Sequence, residues 1–514
     1  MELTPMSSSF PWLTALIVVP IVGAVLLWAL PAGLRKHTRS VALVVTLLVL
    51  ALGVGALLLG FDTGTSATVQ LYEQHAWIPA IGVSYAVGVN GVGLALVLMS
   101  IVLVPLVVLA AWREQGSRGV PTDRLRLYLA LVLLLEAFMV AVFAARDVFL
   151  FYVLFEAMLI PVYFMIGMFG GAQRRYAAVK FLLYSLAGGL IMLVAVIALY
   201  LQGPGGSDGF LTAHLTGLDI APTTEKLLFL AFFLAFAIKA PMFPVHTWLP
   251  DAAQQAPAGT STLLVGVLDK VGTFGMLTLC LPLFPDASRW AAPVIIVLAL
   301  VSILYGAALA IGQKDIMRLI AYTSVSHFGF IVLGIFAFTS TSIAGSSFYM
   351  VNHGLSTGAM FLLAGFLVAR RGSQEISAFG GLQKIVPVLA GFFLVAGLSV
   401  LSLPGLSTFI SEFLVIVGTF ARHPAASIVS TVGVVLAAVY ILWLYQRVFT
   451  GPTPADLEGT RDLSGRERWV IAPLLALMVV FGFVPRPALD LVSPPATVTL
   501  EQVGVTDLPA DGSK

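Results

Sequence analysis

Phe236–Ala252 reads FAIKAPMFPVHTWLPDA, and it closes a greasy run, Leu227–Ala240, whose only charge is Lys239. Pro241 and Pro244 follow at once. Proline inside a helix removes a backbone donor and clashes with the preceding turn, so a helix ends here. At membrane depth the freed groups are tolerated only where protein or a hydrated cavity satisfies them. A lysine at the centre of a span costs about 2.5–3.5 kcal/mol on insertion scales, which makes function its default reading. Lysine and broken helix therefore imply the same thing, an internal polar pocket. The competing readings are a structural ion pair and a snorkelling lysine. A depth of roughly 20 Å, from 1.5 Å per residue, argues against the second.

The rest of the chain supports a membrane setting. It has 514 residues, 59% hydrophobic and 10% charged, with a mean hydropathy of +1.01, whereas soluble domains carry about 25% charged residues. The net charge of +2 gives no reason to expect nucleic acid as a partner. The opening MELTPMSSSFPW lacks a basic n-region, so the first apolar run reads as an uncleaved span. Cys280 is the single cysteine; an iron–sulfur site needs about four thiolates, so no such cluster is expected in this chain. No glycine fingerprint follows a strand pattern, which excludes an apparent nucleotide or flavin site.

A span needs about 20 apolar residues, and fourteen stretches qualify, the seventh at 225–245 and the twelfth at 384–421. The expected fold is an all-α polytopic membrane protein of about fourteen transmembrane helices. The twelfth stretch is too long for one straight helix and contains LSLPGLSTF, so it reads as two half-helices joined at Pro404–Gly405. Two interrupted helices five spans apart suggest inverted repeats, because an odd number of spans reverses topology. The expected divisions are 1–126, three helices with a hairpin at 61–91; 127–284, the first repeat; 285–448, the second; and 449–514, a final helix with a polar, loosely ordered tail. Loop cations fall nineteen on one side, Arg35, Arg118, Arg174 and Arg318 among them, and six on the other, including Arg146 and Lys514. The richer side is cytoplasmic, which puts both termini on the non-cytoplasmic face. Lys239 and Lys270 belong to no loop.

Lys270, in TLLVGVLDKVGTFG, also lies near midplane. Asp269 beside it is about 100° round the helix, so the two either neutralise one another or face different neighbours. Glu156 in VLFEAMLIP and Glu412 in STFISEFL are buried carboxylates within spans. Burial and an opposite charge push a titrating group in opposite directions, so a glutamate and a lysine of variable separation form a proton valve. Glu156 with Lys239 is the preferred pair. His327 in YTSVSHFGF and His353 in VNHGLS, the latter before a glycine interruption, suit proton relays, or are plain hydrogen-bonded core residues. Glu136 in LLLEAFMV serves coupling or packing, and His246 and Asp251 sit at the cytoplasmic mouth as relay or interfacial groups.

At KAPMFPVHTWLPDAAQQAP the chain resembles the antiporter-like, proton-pumping membrane subunits of respiratory complex I. GVNGVGL, DVFLFYVLFEAMLIPVYFMIG, KDIMRLIAYTSVSHFGF, NHGLSTGAMFLLAG and LPGLSTFISEF match too. Multisubunit sodium/proton antiporter subunits share this core and supply the alternative function. Most members carry lysine where Glu412 stands, and the M (mitochondrial chain 4) type carries glutamate. The resemblance implies a translocase subunit of NADH:quinone oxidoreductase in a bacterial plasma membrane. Its neighbours would be L- and N-type chains and lipid, with FMN, iron–sulfur clusters and quinone held by other subunits. It further implies proton translocation by Glu156, Lys239, Lys270 and Glu412, with His327 and His353 along the axis. Departures are Ala253 for a histidine, Asn90 for an aspartate, and Asp269 where an apolar residue is expected.

Overall fold

The computed structural model describes residues 4–113 and 124–508; Arg118 and Lys514, used above for orientation, lie outside them. The first helices are α1 (Trp12–Ala29), α2 (Thr38–Gly55), α3 (Gly91–Ala110) and α4 (Leu125–Ala144). Strands β1 (Gln70–Ile78) and β2 (Val83–Val89) form the expected hairpin between α2 and α3. Next come α5 (Val148–Ala157), α6 (Leu159–Phe169), α7 (Arg174–Gln202), the short α8 (Thr212–Leu215), α9 (Pro222–Lys239) and α10 (Trp248–Gln255). One span is built from α11 (Ala258–Leu263), α12 (Asp269–Gly275) and α13 (Leu281–Leu283), joined by π-helical turns at Leu264–Leu268 and Met276–Cys280. The chain continues through α14 (Pro285–Ile311), α15 (Ile316–Phe336), α16 (Ser340–Arg371), α17 (Pro387–Val400), α18 (Ser407–Arg422), α19 (Pro424–Phe449), α20 (Gly465–Phe483) and α21 (Arg486–Gln502).

Eleven helices among the described residues are long and apolar enough to cross a membrane, or twelve if the bent pair α20–α21 counts as one span. Fourteen is not reached on that measure, because α9 carries Glu225, Lys226 and Lys239 and the twelfth stretch is split into the shorter α17 and α18. The bundle is layered by burial rather than by polarity alone. The spans at 316–336 and 340–371 are wholly enclosed over their most apolar windows. By contrast α7 exposes Leu183, Leu186, Leu190, Val194, Ile197 and Leu201, a three-and-four spacing that marks one lipid-facing stripe. Polar residues are therefore affordable only on the central helices, where other protein surrounds them.

Two sequence expectations change. The segment after Pro487 is not loose: α21 turns 70° from α20 and buries Val492, Pro495, Ala496 and Leu500. Ser66 donates to the Asp490 carbonyl at 3.1 Å, and Arg289 and Arg422 donate to the carbonyls of Val503 and Thr506. The glycine after His353 does not interrupt its helix; α16 runs unbroken. Gly354 instead lets α16 approach Met99 and the Gly266 carbonyl. Val148–Phe169 remains one span with a local turn at Met158, because Pro161 cannot donate to the carbonyl of Ala157.

The hairpin is anchored on the mouth of α5. Asp147 is fully buried, caps Leu150 N–H at 2.9 Å and accepts from Ser84 N–H on β2 at 2.9 Å. Burial raises its carboxyl above the ordinary range, against the pull of those backbone donors. Asn90, the departure from aspartate, caps α3 just as an aspartate would, accepting from Gly93 N–H at 3.0 Å.

Candidate functional site

Helix α9 ends on Lys239, where the free carbonyls of a C-terminus favour a cation. The freed carbonyl of Ile238 is taken by the Trp248 indole at 2.9 Å, and Phe243 N–H finds Ser302 Oγ at 2.9 Å. The break is thus satisfied without using the lysine. Lys239 is 1% exposed, and its ammonium has no hydrogen-bond partner among the described residues. It lies 4.8 Å from the Phe155 ring centroid and 5.9 Å from that of Phe181.

Glu156 sits one residue from the end of α5, and its carboxylate fills the space a side chain at Gly189 would occupy. It interacts electrostatically with Lys239, yet the two are not in ion-pair contact. The preferred pair of the sequence reading is therefore not joined as an ion pair. Asp269 is fully buried with both oxygens unbonded among the described residues, and it interacts with Lys239 and Lys270 alike.

Lys270 points elsewhere. Its ammonium donates to the Val265 carbonyl, freed within the π-turn, and lies 2.7 Å from His353 Nδ1. Such π-turns recur at functional sites because they release backbone acceptors. The His353 ring meets that of His327 edge-on at 5.2 Å. His327 Nε2 is 3.2 Å from the Tyr440 hydroxyl, and its ring lies 5.9 Å from that of Tyr349. Tyr349 donates to Glu412 Oε2 at 2.7 Å, and Ser402 donates to the same oxygen at 2.6 Å. Ser402 reaches it from the second break, where its φ is 60° and that of Gly405 is 93°. Asn352 further ties α16 to α18 by donating to the Ser407 carbonyl at 2.9 Å.

The structure thus gathers Lys270, His353, His327 and Glu412 into one line, with Glu156 and Lys239 at its other end. Among the described residues, Glu136 is fully buried with no hydrogen-bond partner and no charged neighbour acting on it. His246 is 1% exposed, boxed by the rings of Phe243, Tyr305 and Tyr322, with both nitrogens unbonded among the described residues. Asp251 is held by Lys180 at 2.6 Å and by Arg318, an ion triad joining α7, α10 and α15. Tyr349, Tyr440 and Ser402 escaped the sequence reading. Only the helical spacing of Tyr349 and His353, four residues apart on one face, signalled any of them.

Broken helices around a buried line of ionisable side chains define a polytopic membrane protein with a polar interior. Residues 145–437 match the family NADH:quinone oxidoreductase/Mrp antiporter, transmembrane. The chain is 48% identical to NADH-quinone oxidoreductase subunit M of Mycobacterium tuberculosis, covering 97% of this chain and 96% of that one. It superposes on a chain of respiratory complex I from Thermus thermophilus with bound NADH, with a TM-score of 0.86 and 33% identity, over 96% of this chain and 100% of that chain. It shares the fold of a chain in the Mrp complex from Dietzia sp. DQ12-45-1b, with a TM-score of 0.82, 21% identity, and coverage of 96% and 99%. The chain belongs to the antiporter-like membrane subunits of NADH:quinone oxidoreductase, in the subunit M branch.

Proposed function

We propose that the chain moves protons across a bacterial plasma membrane, outward, while other subunits pass electrons from NADH to quinone. Those subunits would hold the FMN and iron–sulfur clusters, and L- and N-type chains would flank this one. The observation that supports the reading most is the polar line from Lys270 through His353 and His327 to Tyr440 and Tyr349, the latter bonded to Glu412. In the mechanism, Glu156 biases the charge on Lys239 without locking it. A proton then passes by way of Lys270 and the imidazoles to Glu412, which exchanges with the outer side or the next subunit. Neutral imidazoles carry one donor and one acceptor nitrogen, which suits them to hand a proton along. The drive is conformational or electrostatic, imposed by the redox subunits at a distance.

The two breaks, α9–α10 with Lys239 and α17–α18 with Glu412, support inverted repeats at 127–284 and 285–448, each supplying about half a path. Both termini would face away from the cytoplasm, by the loop cations. Glu136 and His246 are proposed as lesser relays; both are buried and have no hydrogen-bond partner among the described residues.

The test is Glu156→Gln and Lys239→Ala in the assembled complex in proteoliposomes. The proton-to-electron ratio should fall in both while NADH oxidation by the peripheral subunits persists. An unchanged ratio in both variants would remove these residues from the path. Stimulation of transport by sodium without NADH oxidation would favour the antiporter alternative.

A further inference from the structure

We propose, resting on the reading above, that Asp269 carries the proton between Lys239 and Lys270. The argument is one of placement. Asp269 and Gly272 are three residues apart on α12 and so share a face. At Gly272 a side chain would meet the Phe236 carbonyl oxygen at 2.5 Å and Ala240 N at 2.7 Å. That face therefore lies backbone to backbone against the end of α9, where Lys239 sits. Lys270 is one residue on, about 100° round the helix, and reaches His353 on α16. A single turn of α12 thus presents an acid to the first lysine and a base to the first imidazole.

Mutual neutralisation does not account for Asp269. Lys270 is committed to the Val265 carbonyl and His353, and Lys239 donates to nothing among the described residues. No ion pair joins Asp269 to either lysine, and no donor reaches either of its oxygens among the described residues. A buried carboxylate without donors is costly, and the cost falls when the group holds a proton part of the time. The groups acting on it are Lys239 at the end of α9, itself coupled to Glu156 on α5, and Lys270 on its own helix.

The exchange is balanced without any co-reactant. The Lys239 ammonium gives its proton to the Asp269 carboxylate, leaving a neutral amine and a carboxylic acid. The acid then gives the proton to a neutral Lys270 amine and returns to carboxylate. Since neither lysine is in contact with it, each hop needs a bridging water or a swing of the lysine side chain.

The experiment uses the complete complex in proteoliposomes, with Asp269→Asn, Asp269→Glu and Lys239→Ala side by side. Asp269→Asn, nearly isosteric, should assemble and lower the proton-to-electron ratio several-fold, with a changed solvent deuterium isotope effect. Asp269→Glu should restore most of the ratio. A wild-type ratio in assembled Asp269→Asn beside a depressed one in Lys239→Ala overturns this inference alone. Wild-type ratios in both overturn the underlying reading as well. A measurement free of variants covers a failure to assemble. In wild-type complex carrying 13C-carboxyl aspartate, turnover should produce an isotope-shifted carboxylic-acid band in infrared difference spectra, and its absence overturns the proposal.

Discussion

Glu412 shows how the fold supplies donors to a buried carboxylate. Tyr349 and Ser402 donate to one oxygen from opposite sides, α16 and the second break. Hydrogen bonds to charged groups contribute about 1.5–3 kcal/mol each, so either donor changes how firmly the carboxylate holds its charge. Tyr349→Phe and Ser402→Ala should each assemble normally and reduce pumping, Tyr349→Phe more, since it also removes a neighbour of His327. Wild-type pumping in both would mean that Glu412 does not titrate during turnover. At this scale the sequence told which residues are charged but not where they point. Lys239, Lys270, Glu156 and Glu412 stood out because a charge in apolar surroundings is conspicuous. Tyr349 and Tyr440 did not, because a tyrosine in a greasy helix carries no comparable signal. The pairing of Lys270 with His353 joins residues 83 positions apart, a separation no local pattern encodes.

At the scale of elements, both helix breaks were readable because proline and glycine act locally. Pro241, Pro244, Pro404 and Gly405 impose them whatever the neighbours do. The π-turns flanking α12 were not readable, because LVGVL and MLTLC are ordinary helix-forming stretches and the extra residue is accommodated only through packing. α21 was misjudged for a related reason: three internal or leading prolines and few long apolar runs read as tail. Yet its buried stripe and the bonds to its end hold it as a helix. The approach of α12 to α9 is testable through Gly272. Gly272→Val should cost about 1–3 kcal/mol by overpacking, because the obstructing atoms are backbone of Phe236 and Ala240. It should also depress pumping by moving Lys239 away from Asp269. Gly266→Ala is the comparison: its added carbon would meet Leu103 Cδ1 at 3.2 Å, a flexible tip, so thermal stability and pumping should change little. Equal losses in the two variants would refute the claim that the α9–α12 contact is the sensitive one.

For the whole molecule, the decisive question is whether the buried groups act in series. The enclosed spans at 258–283, 316–336 and 340–371 carry Asp269, Lys270, His327, Tyr349 and His353, while α1, α2 and α7 turn their apolar faces outward. Such a layout places the contacts from Lys270 to Glu412 inside protein, and the proposed path adds Lys239 at the near end through Asp269. Groups acting as a unit show strongly non-additive effects on substitution. In series, the double variant Lys239→Ala with Glu412→Gln should pump no worse than the poorer single variant, since one blocked step already stops the flow. Two independent paths would instead make the losses multiply. Lys270→Ala, placed between them, should match the poorer end variant, because it cuts the line at the junction of Asp269 and His353. Measured proton-to-electron ratios for these three singles and the double, in complexes shown to be equally assembled, separate the two arrangements. Multiplying losses would place Lys239 and Glu412 on different routes and leave the histidines between them as packing.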